Sequence, residues 1–502
     1  MHGSGAYQLG IGTFGAWEWF VLFGHELLFF ASVFFLIGAI DEFGVDLAWL
    51  WLRLTGRARS PVIDTTDINR RELSGKAAVF IPAWDEAAVI GTTIRHALTV
   101  WQHSQLRLYI GCYRNDADTI EAIVAAAAGD PRLRLVIHDR DGPSTKADCL
   151  NRLFGALTMD ETRWGEQAHM VVLQDAEDMV DPAGLALLDA ALGVAAPDTQ
   201  NKAGLAGGAG LAQLPVIPIP QANSPWIAGH YCEEFAEAHG KAMVVRDALG
   251  AGVPAAGVGC GIARPLLDRL QRERSREAHG GVLSSPGPFA AECLTEDYEL
   301  GLNIAAMGVP TTFVRARTAE GALIGTRACF PGDLTSAVRQ KTRWIHGIAF
   351  QGWDRLGWSG SAVETWMRLR DRRGPLAALT LCSAYLLLVL SAIGWVLVLA
   401  GVGEAPPVPD TVVLLLWVNT ASFAWRTAWR FAFAARQYGF GEGIRAVLRI
   451  PVANIIAIMA GRRAFAAYLR SLRGHAVRWD KTTHTAHPAA ILDAPVGVSA
   501  AQ

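Results

Sequence analysis

The chain has 502 residues, of which 51% are hydrophobic and 18% are charged, and its formal net charge is -2. The mean hydropathy of +0.23 predicts a protein that combines soluble and membrane-embedded parts. The near-zero charge, with no basic block among aromatic residues, excludes the electrostatic footprint of a nucleic-acid-binding protein. The seven cysteines are scattered without a C-x-x-C spacing, which excludes a disulfide framework and a zinc site.

The first apolar stretch, residues 19–40, would span about 33 Å as a helix, enough for one membrane crossing. No Lys or Arg precedes Arg53, so we expect no cleavable signal peptide. Because Arg53, Arg57 and Arg59 follow this stretch, the positive-inside rule predicts a periplasmic amino terminus and a cytoplasmic continuation. Residues 41–54 are apolar with charged ends and predict a helix on the inner leaflet.

Short apolar strands alternate with helical stretches from Gly75 to about Pro331, which predicts an α/β domain with a mostly parallel sheet. Four predicted strands end in polar loops, and strand ends in such sheets meet over one crevice. We expect this crevice to bind substrate through the first three loops and a cation through the fourth. The loop residues are, in chain order, Pro82, Asp85, Glu86; Asn115, Asp116; Lys146, Asp148, Asn151; and Asp175, Glu177, Asp178.

The fourth strand, within HMVVLQDAEDMVDP at residues 169–182, carries the acidic residues. In an extended chain the side chains at i and i+2 share a face, so Asp175 and Glu177 can hold one divalent cation, Mg2+ or Mn2+. The alternative is a solvated acidic turn that caps the next helix.

Two later stretches contribute further candidates. Residues 255–264 form a glycine-rich loop that either admits a ligand close to the backbone or is an ordinary tight turn. Glu296 and Asp297 stand at the predicted start of a helix, where the positive end of the helix dipole is expected to keep a carboxylate ionised.

Residues 329–358 are basic, amphipathic and rich in Trp. Gln340, Arg343 and Trp344 follow the spacing i, i+3, i+4 and share one helix face. We expect this segment both to pack on the membrane surface and to contribute to a binding site.

The last third of the chain predicts two more crossings, at 375–402 and 410–428, with arginines at their cytoplasmic ends. The apolar core of 450–460 is too short to span a membrane and predicts a surface helix. Three crossings are few to enclose a path through the membrane. We therefore expect a homodimer or an export partner to complete such a path. The predicted divisions are an amino-terminal membrane segment with its surface helix at 1–60, the α/β domain at 75–330 and amphipathic interface helices at 331–374. They continue with two membrane helices at 375–430, a surface helix with a carboxyl-terminal segment at 431–488 and a disordered tail at 489–502.

These residues fit the departure of a diphosphate from a sugar. The metal-binding carboxylates and Arg343 would neutralise the leaving group, and Asp297 would accept the proton of the attacking hydroxyl. Trp344 could stack on a sugar ring. A single base without a second, nucleophilic carboxylate implies one displacement with inversion.

Three motifs, DAED, TED and QKTRW, resemble the D-x-D, T-E-D and Q-x-x-R-W set of processive family 2 glycosyltransferases of the cellulose and hyaluronan synthase type. More narrowly, residues 19–488 resemble the glycosyltransferase portion of the bacteriophage adsorption protein B (NfrB) family. The stretches that carry this resemblance are PAWDE, YRNDADT, GPSTKADCLN, LQDAEDMVDP, RQKTRWIHGIAFQGW and RWDKTTHTAHP.

The resemblance implies a GT-A nucleotide-sugar-binding domain in a bacterial inner-membrane enzyme that polymerises an exopolysaccharide from a UDP-sugar, with an N-acetylhexosamine as one candidate. It places Pro82, Asp116 and Lys146 in the nucleotide and diphosphate pocket, and Asp175 and Glu177 on Mg2+ or Mn2+. It further implies that Asp297 is the base, beside Glu296, and that Gln340, Arg343 and Trp344 hold pyrophosphate and acceptor.

The chain departs from the family pattern at two places. Glu177 replaces the second Asp of D-x-D, which leaves Asp178 as the alternative metal ligand. Asn115 and Asp116 replace the usual acidic pair, which leaves the uracil contact open. Relatives often carry a further domain that binds cyclic di-GMP; we find none in the sequence and expect no direct control by that nucleotide.

Two other functions remain open at this point. The chain could transfer a single sugar to a polyprenyl phosphate or other lipid acceptor, or it could be a non-enzymatic export or phage-receptor assembly subunit. A dinucleotide dehydrogenase is excluded because the first strand-helix junction reads PAWDE instead of G-x-G-x-x-G.

Overall fold

The computed structural model describes residues 15–193, 208–278, 287–358, 360–404, 407–475 and 487–492. The chain divides into two compact units, Met1–Gly44 with Leu376–Ala428 and Val45–Pro375 with Trp429–Gln502. Most of the motif RWDKTTHTAHP and of the predicted disordered tail lies outside the described residues. The described beginning of that tail belongs to a short helix, Pro488–Leu492.

The larger unit contains a seven-stranded sheet with the order β3-β2-β1-β4-β7-β5-β8 and a two-stranded parallel sheet of β6 and β9. The strands β3, β2, β1 and β4 are parallel, whereas β7 runs antiparallel to both β4 and β5. The predicted mostly parallel α/β architecture is therefore confirmed. The strands are β1 Ala77–Pro82, β2 Leu106–Tyr113, β3 Leu133–His138, β4 Met170–Leu173, β5 Leu211–Gln213, β6 Val216–Pro218, β7 Cys260–Ala263, β8 Thr311–Phe313 and β9 Thr326–Ala328.

The central strands are apolar because both of their faces are covered. In β1, Val79 and Ile81 belong to one buried cluster, and Ala78 and Phe80 belong to another on the opposite face. This alternation is the consequence of the two-residue repeat of a strand, and a strand buried on both sides needs apolar residues at every position.

Helices cover both faces of the sheet, and further helices follow it in the described part of the chain. They are α1 Ala16–Leu54, α2 Thr65–Asn69, α3 Ile90–Val100, α4 Ala117–Ala127, α5 Lys146–Trp164, α6 Gly184–Leu192, α7 Gly229–Glu237, α8 Met243–Ala248, α9 Arg264–Ala278, α10 Glu296–Ala306, α11 Leu334–Trp344, α12 Gly352–Leu356, α13 Ala362–Arg372, α14 Gly374–Leu399, α15 Asp410–Tyr438, α16 Phe440–Leu448, α17 Ile450–Ser471 and α18 Pro488–Leu492. Two π-helical segments, Ala238–Ala242 and Ile345–Gln351, connect α7 to α8 and α11 to α12.

Among the described residues, three helices are long and apolar enough to cross a membrane: α1, α14 and α17. The predicted crossing 19–40 and the predicted surface helix 41–54 form one continuous helix of 39 residues. The apolar stretch 450–460 continues to Ser471, so the expectation that it is too short does not hold for its helix, which has 22 residues. The stretch 410–428 lies in α15, which does not reach the hydropathy of the other three.

The polar residues of α15 have partners on α1. Asn419 Nδ2 donates a hydrogen bond of 2.9 Å to the carbonyl oxygen of Ser32, and Arg426 forms an ion pair with Glu42. Polar groups in an apolar helix usually face a neighbouring helix because lipid offers them no partner. These contacts explain how α15 accommodates residues that lower its hydropathy.

Candidate active site

One cavity of about 420 Å³ lies in the larger unit, where β1 and β4 end. All of the predicted residues of the acidic, TED and QKTRW motifs line it, together with three residues of the earlier loops. The predicted residues that line the cavity are Pro82, Glu86, Lys146, Asp175, Glu177, Asp178, Glu296, Asp297, Gln340, Arg343 and Trp344. Residues more than 250 positions apart in the sequence therefore share one cavity.

Five predicted substrate-binding residues, Asp85, Asn115, Asp116, Asp148 and Asn151, do not line this cavity. Three of them hold neighbouring loops together. Asp116 Oδ2 accepts a hydrogen bond of 2.6 Å from the backbone N–H of Asp85. Asn115 exchanges two hydrogen bonds, of 3.0 and 2.8 Å, with the backbone of Gly142. Their short polar side chains satisfy turn backbone groups, as Asn and Asp commonly do.

Asp148 and Asn151 lie on α5 and also have structural partners. Asp148 forms an ion pair with Arg140, and its Oδ2 lies 3.3 Å from His138 Nε2. Asn151 exchanges hydrogen bonds of 2.9 and 3.0 Å with the backbone of Phe289, which fixes the segment that leads to α10. The sequence motif thus identifies residues around the site as well as residues in it.

Lys146 lies at the centre of the cavity's charged groups. It opens α5, pairs with Asp175, and donates a hydrogen bond of 3.3 Å to the carbonyl oxygen of Gly257. Burial alone would lower the pKa of Lys146, but the carboxylates of Asp175, Glu296 and Asp297 raise it above its ordinary value. The lysine is therefore a permanent cation that compensates several buried acids.

The pKa values of the two acids at the start of α10, Glu296 and Asp297, differ from the expectation drawn from the sequence. Burial, followed by the charge of Asp297, raises the pKa of Glu296 to about 8. Burial also raises the pKa of Asp297, although Lys146 opposes this rise. The expectation that the start of the helix keeps a carboxylate ionised is therefore corrected for Glu296, where desolvation outweighs the helix dipole.

Asp178 is the most buried of the three predicted metal ligands, with 4% of its surface exposed. Burial, with the charges of Glu177 and Asp175 next, raises its pKa well above the usual range. Crowded carboxylates of this kind are stabilised by a hard divalent cation, so the donor set fits Mg2+ or Mn2+. Within the described ranges, no group of three or more His, Cys, Asp or Glu residues could hold a metal ion by itself, so a cation here would need ligands from the substrate.

The helix α11 presents the QKTRW motif and is fixed to the start of α10. Asp333 caps α11 by accepting a hydrogen bond of 2.9 Å from Ser336 N–H. In the π-helical segment that follows, a Cβ atom on Gly347 would overlap the side chain of Thr295, which precedes α10. π-Helical turns are frequent at functional sites, and this one packs the segment that follows α11 against the residue that precedes the helix carrying Asp297.

Trp344 belongs to an aromatic cluster on the cavity wall. Its ring lies edge-on to Tyr231 and Phe330, with ring centroids 6.1 and 6.4 Å apart. Gln340 Oε1 is buried without a hydrogen-bond partner in the described part of the chain. Because buried polar atoms are normally hydrogen-bonded, this oxygen is available to a ligand in the cavity.

Several lining residues were not predicted from the sequence. The rings of Trp84 and Tyr113 are perpendicular at 5.3 Å, and the Tyr113 hydroxyl lies 2.6 Å from Ser144 Oγ. Trp84 stands inside the motif PAWDE, which could have identified it. Three further unpredicted polar residues, Gln213, Glu234 and His239, follow no motif and reach the cavity only through tertiary packing.

The comparisons with known proteins agree with this geometry. Residues 75–347 match the model of the family described as Glycosyltransferase like family 2. The chain is 31% identical over 485 residues to Bacteriophage adsorption protein B of Escherichia coli (strain K12), and equally to Bacteriophage N4 adsorption protein B of Escherichia coli O157:H7. Each alignment covers 90% of this chain and 61% of the relative, so the chain spans less than two thirds of these proteins.

Solved structures that the comparison returned include a mannosyltransferase from Pyrobaculum calidifontis in complex with GDP-Man and Mn2+, with a TM-score of 0.44 and 15% identity over 86% of this chain and 99% of that chain. They also include glucosyl-3-phosphoglycerate synthase from Mycobacterium tuberculosis in complex with Mg2+ and UDP. Its TM-score is 0.34, and the 16% identity extends over 60% of this chain and 86% of that chain. The family match contains the whole sheet and the acidic, TED and QKTRW motifs. The chain is a glycosyltransferase with a GT-A type α/β domain and belongs to the glycosyltransferase-like family 2.

Proposed function

We propose that the chain is an inner-membrane, metal-dependent, inverting glycosyltransferase that extends an exopolysaccharide from a UDP-sugar. The observation that carries this proposal is that Asp175, Lys146, Asp297, Arg343 and Trp344 line one cavity. UDP-N-acetylhexosamine is the first donor to test. The apolar helices would anchor the enzyme, with its catalytic unit on the cytoplasmic side next to the donor.

The diphosphate would bind between the cations Lys146 and Arg343. These groups stabilise the negative charge that develops as the UDP leaves, and such preorganised electrostatic stabilisation is usually the largest catalytic contribution. Asp175, with Glu177 or with Asp178, would hold Mg2+ or Mn2+. When bound, that cation neutralises charge on the leaving diphosphate.

The acceptor hydroxyl would approach Asp297, which takes up its proton. A base works best with a pKa raised towards neutrality, and burial raises the pKa of Asp297. Glu296, with a pKa of about 8, is mostly protonated at neutral pH and is therefore a poor competing nucleophile. A base next to a protonated neighbour supports a single displacement with inversion at the sugar carbon.

Extension of a glycan is supported by α11 and the aromatic wall next to it. Trp344 and the unpaired oxygen of Gln340 offer a stacking surface and an acceptor of hydrogen bonds, the two contacts with which proteins commonly hold a sugar. Both line the same cavity as Asp297, the proposed base for the hydroxyl of an acceptor sugar.

Membrane vesicles that contain the full chain test the proposal when UDP-sugars are screened for UDP release with Mg2+, Mn2+ or a chelator. We expect release with one donor, dependence on the cation, and a product of many sugar units with inverted linkage. A product with a single added sugar would replace polymerisation by transfer to a lipid or other single acceptor. No release with any donor would favour the non-enzymatic assembly role.

A further inference from the structure

Four arginines, Arg53, Arg315, Arg317 and Arg436, face one another in the larger unit, away from the catalytic acids. Three of them line a second, small cleft. Burial, followed by the charges of Arg317, Arg436 and Arg53, lowers the pKa of Arg315 to about 10. Burial and the charges of Arg436 and Arg53 likewise lower the pKa of Arg317. The like charges are therefore close enough to act on each other. We call this group the arginine cleft.

The arginine cleft lacks a counter-charge among the described residues. Its guanidinium groups donate to neutral oxygens: Arg53 to the carbonyl of Ala58, Arg315 to the Ser60 hydroxyl and Arg317 to the carbonyl of Gly321. The Nε atom of Arg315, and Nε and Nη2 of Arg317, are buried without a partner in the described ranges. Buried donors left unpaired are costly, and together these arginines leave several of them facing one cleft.

Two of the arginines stand at the ends of long apolar helices. Arg53 lies in the last turn of α1, and Arg436 lies in the last turn of α15. Both are exposed, whereas Arg315 and Arg317 are partly buried. The cleft therefore opens at the exposed Arg436, in the last turn of α15, and the ends of helices that cross a membrane are where lipid headgroups lie.

We propose that the arginine cleft binds a phosphate group, carried by an anionic lipid headgroup. Guanidinium groups match phosphate oxygens with paired, charge-assisted hydrogen bonds, and basic pockets at helix ends on the cytoplasmic side are suited to anionic headgroups. The interior of the cleft holds about 20 Å³, roughly the space of one water molecule. The phosphate would therefore bind at the mouth, between the exposed Arg436 and the inner pair.

The arginine cleft shares a wall with the catalytic cavity. Val216, Phe235 and His239 line both. A phosphate bound in the cleft would hold this wall from its far side. The binding site itself does not depend on the proposed function, because it uses none of the catalytic residues.

The test uses the full chain purified in a neutral detergent, and the measurement is the unfolding temperature. Short-chain phosphatidylglycerol, short-chain phosphatidylcholine and inorganic phosphate are titrated separately. We expect phosphatidylglycerol to raise the unfolding temperature and phosphatidylcholine to leave it unchanged. In Arg317→Gln and Arg436→Gln the concentration for half of the effect should rise about tenfold each. Arg95→Gln, which removes an exposed arginine elsewhere, is the matched control and should respond as the unmodified protein does.

Without lipid, Arg317→Gln should unfold at the same temperature or higher, since it relieves repulsion between like charges. This readout separates a binding site from a structural role. A response to inorganic phosphate as strong as that to phosphatidylglycerol would support the anion site but assign it to a soluble phosphate. The proposal would be overturned if phosphatidylglycerol raised the unfolding temperature equally in the two cleft variants and in Arg95→Gln. It would also be overturned if phosphatidylglycerol and phosphatidylcholine had equal effects.

Discussion

Gly257 lies against the carboxylate of Asp297 so closely that a Cβ atom at position 257 would stand 2.5 Å from Asp297 Oδ2 and 3.0 Å from Lys146 Nζ. Its φ of +74° is also one that glycine adopts without strain. The sequence left open whether the glycine-rich loop 255–264 is a ligand loop or a tight turn. The structure shows that Gly257, which has no side chain, leaves room for the carboxylate of Asp297 and for the amine of Lys146.

Gly257→Ala should lower turnover by roughly a hundredfold, because a displacement of about 1 Å at the reacting groups can have an effect of that size. The rate of UDP release at saturating donor measures it. Gly250→Ala is the matched control, since Gly250 also has a φ of +74° but nothing within 4 Å of the added Cβ atom. Similar losses of turnover in both variants would show that backbone strain, and not contact with Asp297, causes the effect.

Lys146→Met should lower the free energy of unfolding by on the order of 3 kcal/mol, because it leaves Asp175, Glu296 and Asp297 without their buried cation. Denaturant unfolding in detergent measures this loss. Donor binding should weaken in the same variant.

Lys76→Met provides the comparison for Lys146→Met. Lys76 pairs with Glu166, whose side chain is 55% exposed, and pairs of this kind contribute about 1 kcal/mol or less. If the two variants lost equal stability, the central role of Lys146 among the acids would be wrong.

His230 predicts a specific dependence of stability on pH. Burial, with Lys341 next, lowers the pKa of His230 from 6.5 to about 4 in the folded chain. Between these values the unfolded chain binds a proton that the folded chain does not, so this histidine makes the protein less stable as pH falls. From about pH 7.5 to about pH 5, the stability of the unmodified protein relative to His230→Gln should fall by on the order of 2 kcal/mol.

Asp247 predicts a dependence of stability on pH that is opposite in sign to that of His230. Burial raises its pKa from 3.8 to about 6, so its contribution is fully present below pH 3.8 and is lost as pH rises through about 6. Relative to Asp247→Asn, the unmodified protein should therefore lose stability as pH rises. Unfolding temperatures measured across this range check both variants, and the same sign in both would contradict the assignment.

The fold was predictable from the sequence where local patterns determine it. Fully apolar strands such as β1 mark a sheet covered on both faces, and acids directly after β4 identify its functional edge. The membrane helices were less predictable, since hydropathy read in separate stretches divided α1 into two parts and ended α17 too early. A helix continues through a single glycine or a pair of arginines when nothing breaks its backbone hydrogen bonds.

The motifs predicted which stretches of sequence form the site, but not which residues of each stretch face the cavity. Asp116 and Asn151 stand in the same short motifs as cavity residues, yet they bind backbone groups of neighbouring loops. Conversely, Gln213 and His239 reach the cavity from segments without a motif. Whether a polar residue faces substrate or supports a turn depends on tertiary packing, which spacing in the sequence does not encode.

The most direct test of the central claim is the rate of UDP release by Asp297→Asn, measured together with UDP binding. The substitution keeps the size of the side chain and removes only its ability to accept the proton. We expect release to fall by about a hundredfold to ten-thousandfold, while UDP still binds with its original affinity. Unchanged turnover in this variant would contradict the assignment of Asp297 as the base.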